Sequence, residues 1–98
     1  MGVRAQWKGR VIAEAEDDEV RTVEGNVYFP PSAVRREFLA ESPTTSRCYW
    51  KSKAQYFHVE VDGELNPDSA WTYTKPWPLA RNIKDHVAFW RGVRITRT

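Results

Sequence analysis

The stretch from Lys53 to Val61 limits the possible folds more than any other part of the chain, because its side chains alternate in character at every step. Period-two spacing is the mark of an extended strand with two distinct faces. Gln55, Phe57, Val59 and Val61 fall on one face, which is mainly apolar and reads as core. Ala54, Tyr56, His58 and Glu60 fall on the other, which carries a phenol, an imidazole and a carboxylate. Just upstream lie the Lys51 ammonium and Cys48, the only thiol in the chain. Any chemistry or ligand binding is expected around this strand.

Composition supports an extended architecture. Val and Ile outnumber Leu, and Thr and aromatic residues are plentiful, a bias that suits half-buried pleated surfaces. A chain of 98 residues, 41% of them hydrophobic, supplies one domain over residues 1–98 with one core. At that length roughly two-thirds of the unfolded surface is buried on folding. The expected class is all-β or mainly β, with one or two short helices. Fifteen basic and 13 acidic side chains leave a formal charge of +2, which an ordinary solvated surface explains. A lone cysteine rules out an intrachain disulfide, and the two histidines stand far from it and from each other, so no metal-ligand spacing arises. The expectation is a cytoplasmic protein with no metal, no cofactor and no membrane partner, since neither an apolar leader nor a stretch of membrane-spanning length is visible.

Turn signals divide the rest of the chain. Lys8-Gly9 joins two short strands, Val3 to Trp7 and Arg10 to Ala15, and Gly25 joins Val20–Glu24 to Asn26–Phe29. The acidic run from Glu16 to Glu19 lacks the glycine and spacing of a calcium loop and reads as a solvated turn. Pro30-Pro31 stops the preceding strand. Ser32 is placed to cap a short helix over residues 33–38, with Val34 and Phe38 on one face. Asp62-Gly63 and Asn66-Pro67-Asp68 predict two further turns. Ala70 to Thr74 reads as a strand with Trp71 and Tyr73 on the same face, and Leu79 to Lys84 as one or two helical turns. The chain closes with Val87–Trp90 and Val93–Thr96, read as a hairpin matching the one at the N-terminus: Ala88-Phe89-Trp90-Arg91-Gly92 echoes Ala5-Gln6-Trp7-Lys8-Gly9.

These segments resemble a known family. Trp7-Lys8-Gly9 with Val11-Ile12-Ala13-Glu14, Val23-Glu24-Gly25-Asn26 with Tyr28-Phe29-Pro30-Pro31, and Cys48, Trp50 and Lys51 within residues 45–54 carry the likeness. Asn66, Ala70-Trp71, Tyr73, Pro76 and Val87-Ala88-Phe89-Trp90 complete it. Together they are similar to the domain-of-unknown-function family 427. The resemblance implies a β-tent, or Mss4-like, architecture, with small antiparallel sheets folded over one core. That group often carries zinc on paired Cys-x-x-Cys motifs; this chain has none, so no metal is carried over. A nucleotidyltransferase-like label is also attached to the family. Nucleotidyl transfer ordinarily uses several carboxylates on Mg²⁺ beside a phosphate cradle. No Gly-rich phosphate loop is present, and Glu14 and Glu24 have no evident third partner. The family pattern around the cysteine has Pro and Gly where this chain has Tyr49 and Ser52.

The functional expectation is a small polar or anionic ligand held in an aromatic pocket. Tyr28, Tyr56, Trp71 and Tyr73 supply its walls and Lys51 its cationic anchor, with Cys48 or His58 as reactive groups. The competing reading makes these aromatics sheet-face packing with phenol tips in water. A Cys48–His58 pair requires the segment after Cys48 to fold back, because the two are roughly 30 Å apart along an extended strand. Whether the protein is an enzyme stays open. Arg47, Lys51 and Lys53 interleave with Tyr49, Trp50 and Tyr56 as in single-strand binders, but the nearly balanced charge argues against nucleic acid. The alternative from another class is a protein-interaction module presenting Trp50 and Trp77.

Overall fold

The computed structural model describes residues 1–48 and 52–98. Its elements are almost all strands: β1 (Gly2–Trp7), β2 (Arg10–Glu16), β3 (Arg21–Val23), β4 (Asn26–Tyr28), β5 (Leu39–Cys48), β6 (Ser52–Val61), β7 (Glu64–Thr72), β8 (Val87–Phe89) and β9 (Arg94–Arg97). They form three antiparallel sheets, ordered β2-β1-β9, β3-β4 and β5-β6-β7-β8. Lys8-Gly9 has φ values of 52° and 77°, both positive as the tight β1–β2 hairpin turn demands. The same pair of positive φ values recurs at Glu24-Gly25, Asp62-Gly63 and Arg91-Gly92.

Period-two alternation explains how the four-stranded sheet is buried on both faces. Val59 and Val61 of β6, Ala70 of β7, and Val87 and Phe89 of β8 point into one cluster, where they meet Val3, Ala5 and Ile12 of the terminal sheet. Phe29 joins them and packs edge-on against Phe89, with centroids 5.8 Å apart. Ala54, Trp71 and Ala88, the intervening residues, point the other way into a second cluster with Tyr28, Tyr73, Ala80 and Ile83. The core therefore has two halves, one on each face of the sheet. Phe57, Val59 and Val61 lie on the inward face as expected, but Gln55 is exposed. The opposite face does not simply meet solvent: Ala54 is buried and Tyr56 packs on the second cluster.

The β3–β4 ribbon is tied to the large sheet just beyond β4. Phe29 and Val87 exchange both backbone bonds, at 2.8 and 2.9 Å, so the ribbon continues the sheet past β8. That junction carries Tyr28 to the face of β7.

Three local expectations are corrected. Residues 33–38 form no α-helix; two 3₁₀ turns, Pro31–Ala33 and Arg36–Phe38, flank an extended Val34. Val34 bridges to Ala13 and the Arg35 amide donates to the Ile12 carbonyl, so pairing with β2 outcompetes the single turn of helix a Ser cap offers. Asn66-Pro67-Asp68 is not a chain-reversing turn but an irregular part of β7, where the β6–β7 register shifts between Phe57 and Val59. The last two strands are not a hairpin either. β8 pairs with β7 while β9 crosses to pair with β1, so the Arg91-Gly92 turn hands the chain from one sheet to another. Residues 79–84 turn as expected, within a 3₁₀ segment over Pro78–Ile83. Among the described residues no helix is long and apolar enough to cross a membrane.

Candidate functional site

Where the ribbon meets the large sheet, aromatic side chains from four separate segments converge. Tyr28 ends β4, Tyr56 sits mid-β6, Trp71 and Tyr73 lie at the end of β7 and just beyond it, and Trp90 follows β8. Alternation puts Tyr56, Trp71 and Tyr73 on one side of their strands. The β6–β7 register then sets Tyr56 directly opposite Trp71. The rings meet at steep and shallow angles: Tyr28 is perpendicular to Trp71 at 6.2 Å, and Trp90 is at 74° to Trp71 at 5.5 Å. Tyr56 is tilted by 39° and 40° to Trp71 and Trp90. Such edge-to-face and offset contacts are those the ring quadrupoles favour.

These five rings, with Glu24 and Asn26 from the β3–β4 turn, line a cleft of about 200 Å³. Tyr28, Trp71 and Tyr73 are largely buried and show the cleft only part of each ring, whereas Tyr56 and Trp90 are more open. Polar tips are fixed by hydrogen bonds. The Trp71 indole N–H donates to the Tyr28 hydroxyl at 3.2 Å, and the Tyr56 hydroxyl is 3.0 Å from Ser46 Oγ on β5. The Trp90 indole N–H donates to the Asp68 carbonyl at 2.6 Å.

A larger hollow of about 350 Å³ lies between Gln6–Gly9 and the stretch from Gly92 to Arg94. Its walls are turn backbone, long flexible side chains and a single aromatic residue, Trp7, and its Lys8 is already paired with Glu64 at 3.2 Å. Rigid aromatic walls with a few fixed polar groups are what orient a small ligand, so the aromatic cleft is the stronger candidate.

The structure thus brings Tyr28, Tyr56, Trp71 and Tyr73 together around one opening. Lys51, the expected anchor, and Trp50 lie outside the described residues, as does the side chain of Cys48. The β5 backbone at Cys48 pairs with Ser52, whereas His58 pairs with Ala40. Six residues of strand, roughly 20 Å, separate those two levels of the ladder. His58 does not line the cleft. Its Nδ1 accepts the Asp68 backbone N–H at 3.0 Å and lies 3.6 Å from the Asp68 carboxylate. Asp68 in turn accepts hydroxyl bonds from Ser42 and Thr44, which hold its carboxyl below the ordinary value of 3.8.

Sequence reasoning missed Glu24, Asn26 and Trp90 as lining residues. Glu24 and Asn26 flank a turn glycine and Trp90 precedes another, and nothing local distinguishes them from solvated turn residues. Only the Phe29–Val87 pairing and the divergence of β8 from β9 bring them to the cleft. Among the described residues no group of three or more His, Cys, Asp or Glu side chains is placed to hold a metal ion.

No curated protein matches the chain. Residues 1–97 match the family described as a domain of unknown function, DUF427, whose label carries a nucleotidyl-transfer name, and with nearly its whole length matched the chain belongs to the DUF427 family.

Proposed function

We propose that the aromatic cleft binds a small polar molecule, with Lys51 as the anchor for ligands that carry an anionic group. The observation that supports this reading is the convergence of Tyr28, Tyr56, Trp71, Tyr73 and Trp90 on one opening whose rim carries Glu24 and Asn26. Core packing alone accounts for the buried rings. It does not call for an open indole, Trp90, held by its N–H beside a half-exposed phenol. The volume is below the roughly 300–1,000 Å³ of drug-sized sites, which favours a compact ligand or one part of a larger one.

The test is a titration of ¹⁵N-labelled protein with nucleotides, sugar phosphates and small carboxylates. Binding gives shifts clustered at Asn26, Tyr56 and the Trp71 and Trp90 indoles. Scattered or absent shifts for every compound would remove the proposal. Lys51→Ala is expected to weaken anionic ligands at least tenfold and to leave neutral ones within about twofold. Equal losses for both would remove Lys51 as the anchor while keeping the cleft.

Exposed tryptophan supports a second reading as a protein-interaction module. Trp77 is 44% exposed, on the segment that enters the 3₁₀ turn over Pro78–Ile83. Recovery of one stoichiometric partner that is lost on Trp77→Ala would favour that reading over a ligand cleft.

A further inference from the structure

β7 departs from regular strand geometry beside the cleft. Asp68 has φ 53°, a conformation that L-residues adopt at a cost and that Asp tolerates better than most. Four hydrogen bonds hold it there. Its N–H donates to His58 Nδ1 at 3.0 Å, and its carbonyl accepts the Trp90 indole N–H at 2.6 Å. Its carboxylate accepts the Ser42 hydroxyl at 2.5 Å and the Thr44 hydroxyl at 2.8 Å. One residue therefore links β5, β6 and the outermost ring of the cleft. Trp90 is 41% exposed, with Trp71 and Tyr56 beside it and the Arg91 guanidinium 4.6 Å from its ring centre.

We infer that Asp68 is a positioning residue that latches Trp90 against the cleft, and that His58 makes this latch release in acid. An imidazole nitrogen accepts a hydrogen bond only while it carries no proton. With Nδ1 protonated, two N–H donors face each other 3.0 Å apart. The acceptor then within reach is the Asp68 carboxylate, whose Oδ1 is 3.6 Å from Nδ1 and is engaged by Ser42. Turning that carboxylate towards the imidazolium is a side-chain rotation that gives up the Ser42 bond, whereas moving the N–H away rotates the backbone at Asp68. The peptide unit on the C-terminal side of that rotation carries the carbonyl that holds Trp90.

The charged groups around His58 are Asp68 from β7, Glu60 two residues along β6, and Arg91 from the turn after β8, whose charge acts on Asp68. β5 contributes Ala40 opposite His58, together with the Ser42 and Thr44 hydroxyls. Those hydroxyls keep Asp68 ionised below its ordinary range. The acid-sensitive partner in this contact is therefore the imidazole and not the carboxylate.

The latch rests on the proposed ligand cleft only for its consequence, weaker binding in acid, and it is tested without ligand. The Trp90 indole N–H resonance, assigned with Trp90→Phe, is followed from pH 8 to pH 5 beside the ring C–H resonances of His58. The expected result is that the two titrate with one midpoint. In His58→Asn, whose side-chain oxygen can accept the Asp68 N–H and does not titrate, the indole resonance should stay at its pH 8 position throughout. An indole signal that ignores the His58 titration, or that moves equally in His58→Asn, overturns the proposal. Should His58→Asn fail to fold, the shared midpoint in the parent protein decides alone. Failure of the ligand titration would leave all these resonances as they are.

Discussion

Replacing Tyr28 with Phe removes one oxygen from the buried side of the cleft and leaves the ring in place. Tyr28 is 1% exposed, and its hydroxyl accepts the indole N–H of Trp71, itself largely buried, at 3.2 Å. The variant strands that N–H, and leaving a buried donor unmet costs about 1–3 kcal/mol. For a chain of 98 residues the unfolding entropy near the midpoint is about 0.2 kcal/mol per degree, so a loss of about 1.5 kcal/mol lowers Tm by about 7 °C. Trp71→Phe costs more, because it also removes ring volume from the second core cluster. The double variant distinguishes a hydrogen bond from simple loss of packing. With both partners gone the indole N–H is no longer stranded, so the pair should cost about 1 kcal/mol less than the sum of the single changes. Urea unfolding followed by tryptophan fluorescence measures this, with a shifted midpoint at constant slope. Additivity within about 0.5 kcal/mol, or a Tyr28→Phe variant as stable as the parent, would refute the claim that this bond organises the cleft.

Three further changes have definite signs. Ser52 has φ 90°, a backbone conformation that favours glycine, so Ser52→Gly should relieve about 1–2 kcal/mol of backbone strain. After the entropy cost of glycine a net gain of about 0.5–1 kcal/mol should appear as a raised Tm, and an unchanged or lowered Tm contradicts it. Gly25 has φ 81° and an added Cβ would meet nothing within 4 Å, so Gly25→Ala should lose about 1 kcal/mol through backbone conformation alone, measured by urea midpoint. Asp68 gives the pH dependence. Its folded carboxyl lies below its unfolded value of 3.8, first because of the Ser42 hydroxyl and then that of Thr44. The stability it contributes is therefore complete above that value and is lost as pH falls through the lower folded one. Asp68→Asn should flatten the acid limb of a stability–pH curve below about pH 4, and an unaltered limb contradicts the assignment.

Much of the site could be read before any contact was known. Period-two spacing puts Phe57, Val59 and Val61 on one face of β6 and Trp71 with Tyr73 on one face of their strand, and the β6–β7 register then joins Tyr56 to Trp71. The same spacing does not say whether that surface meets water. Whether a strand face meets water depends on what is laid over it, here Tyr28, Ala80 and Ile83 from other segments. Ser32 to Phe38 shows the same limit. Its capping signal is local and weak, and pairing of Val34 and Arg35 with β2 overrides it.

Sequence alone determined the four X-Gly turns and which side chains share a strand face, because both are set by the conformational preferences and alternation of neighbouring residues. The X-Gly pairs at Lys8, Glu24, Asp62 and Arg91 fix where the chain bends, and alternation fixes which side chains travel together. Tertiary structure alone decided which strands meet. β9 left β8 for β1, and Phe29 found Val87, because those pairings bury both faces of the large sheet at once. Trp90, Glu24 and Asn26 reached the cleft through those long-range choices, which residues adjacent in the chain do not encode.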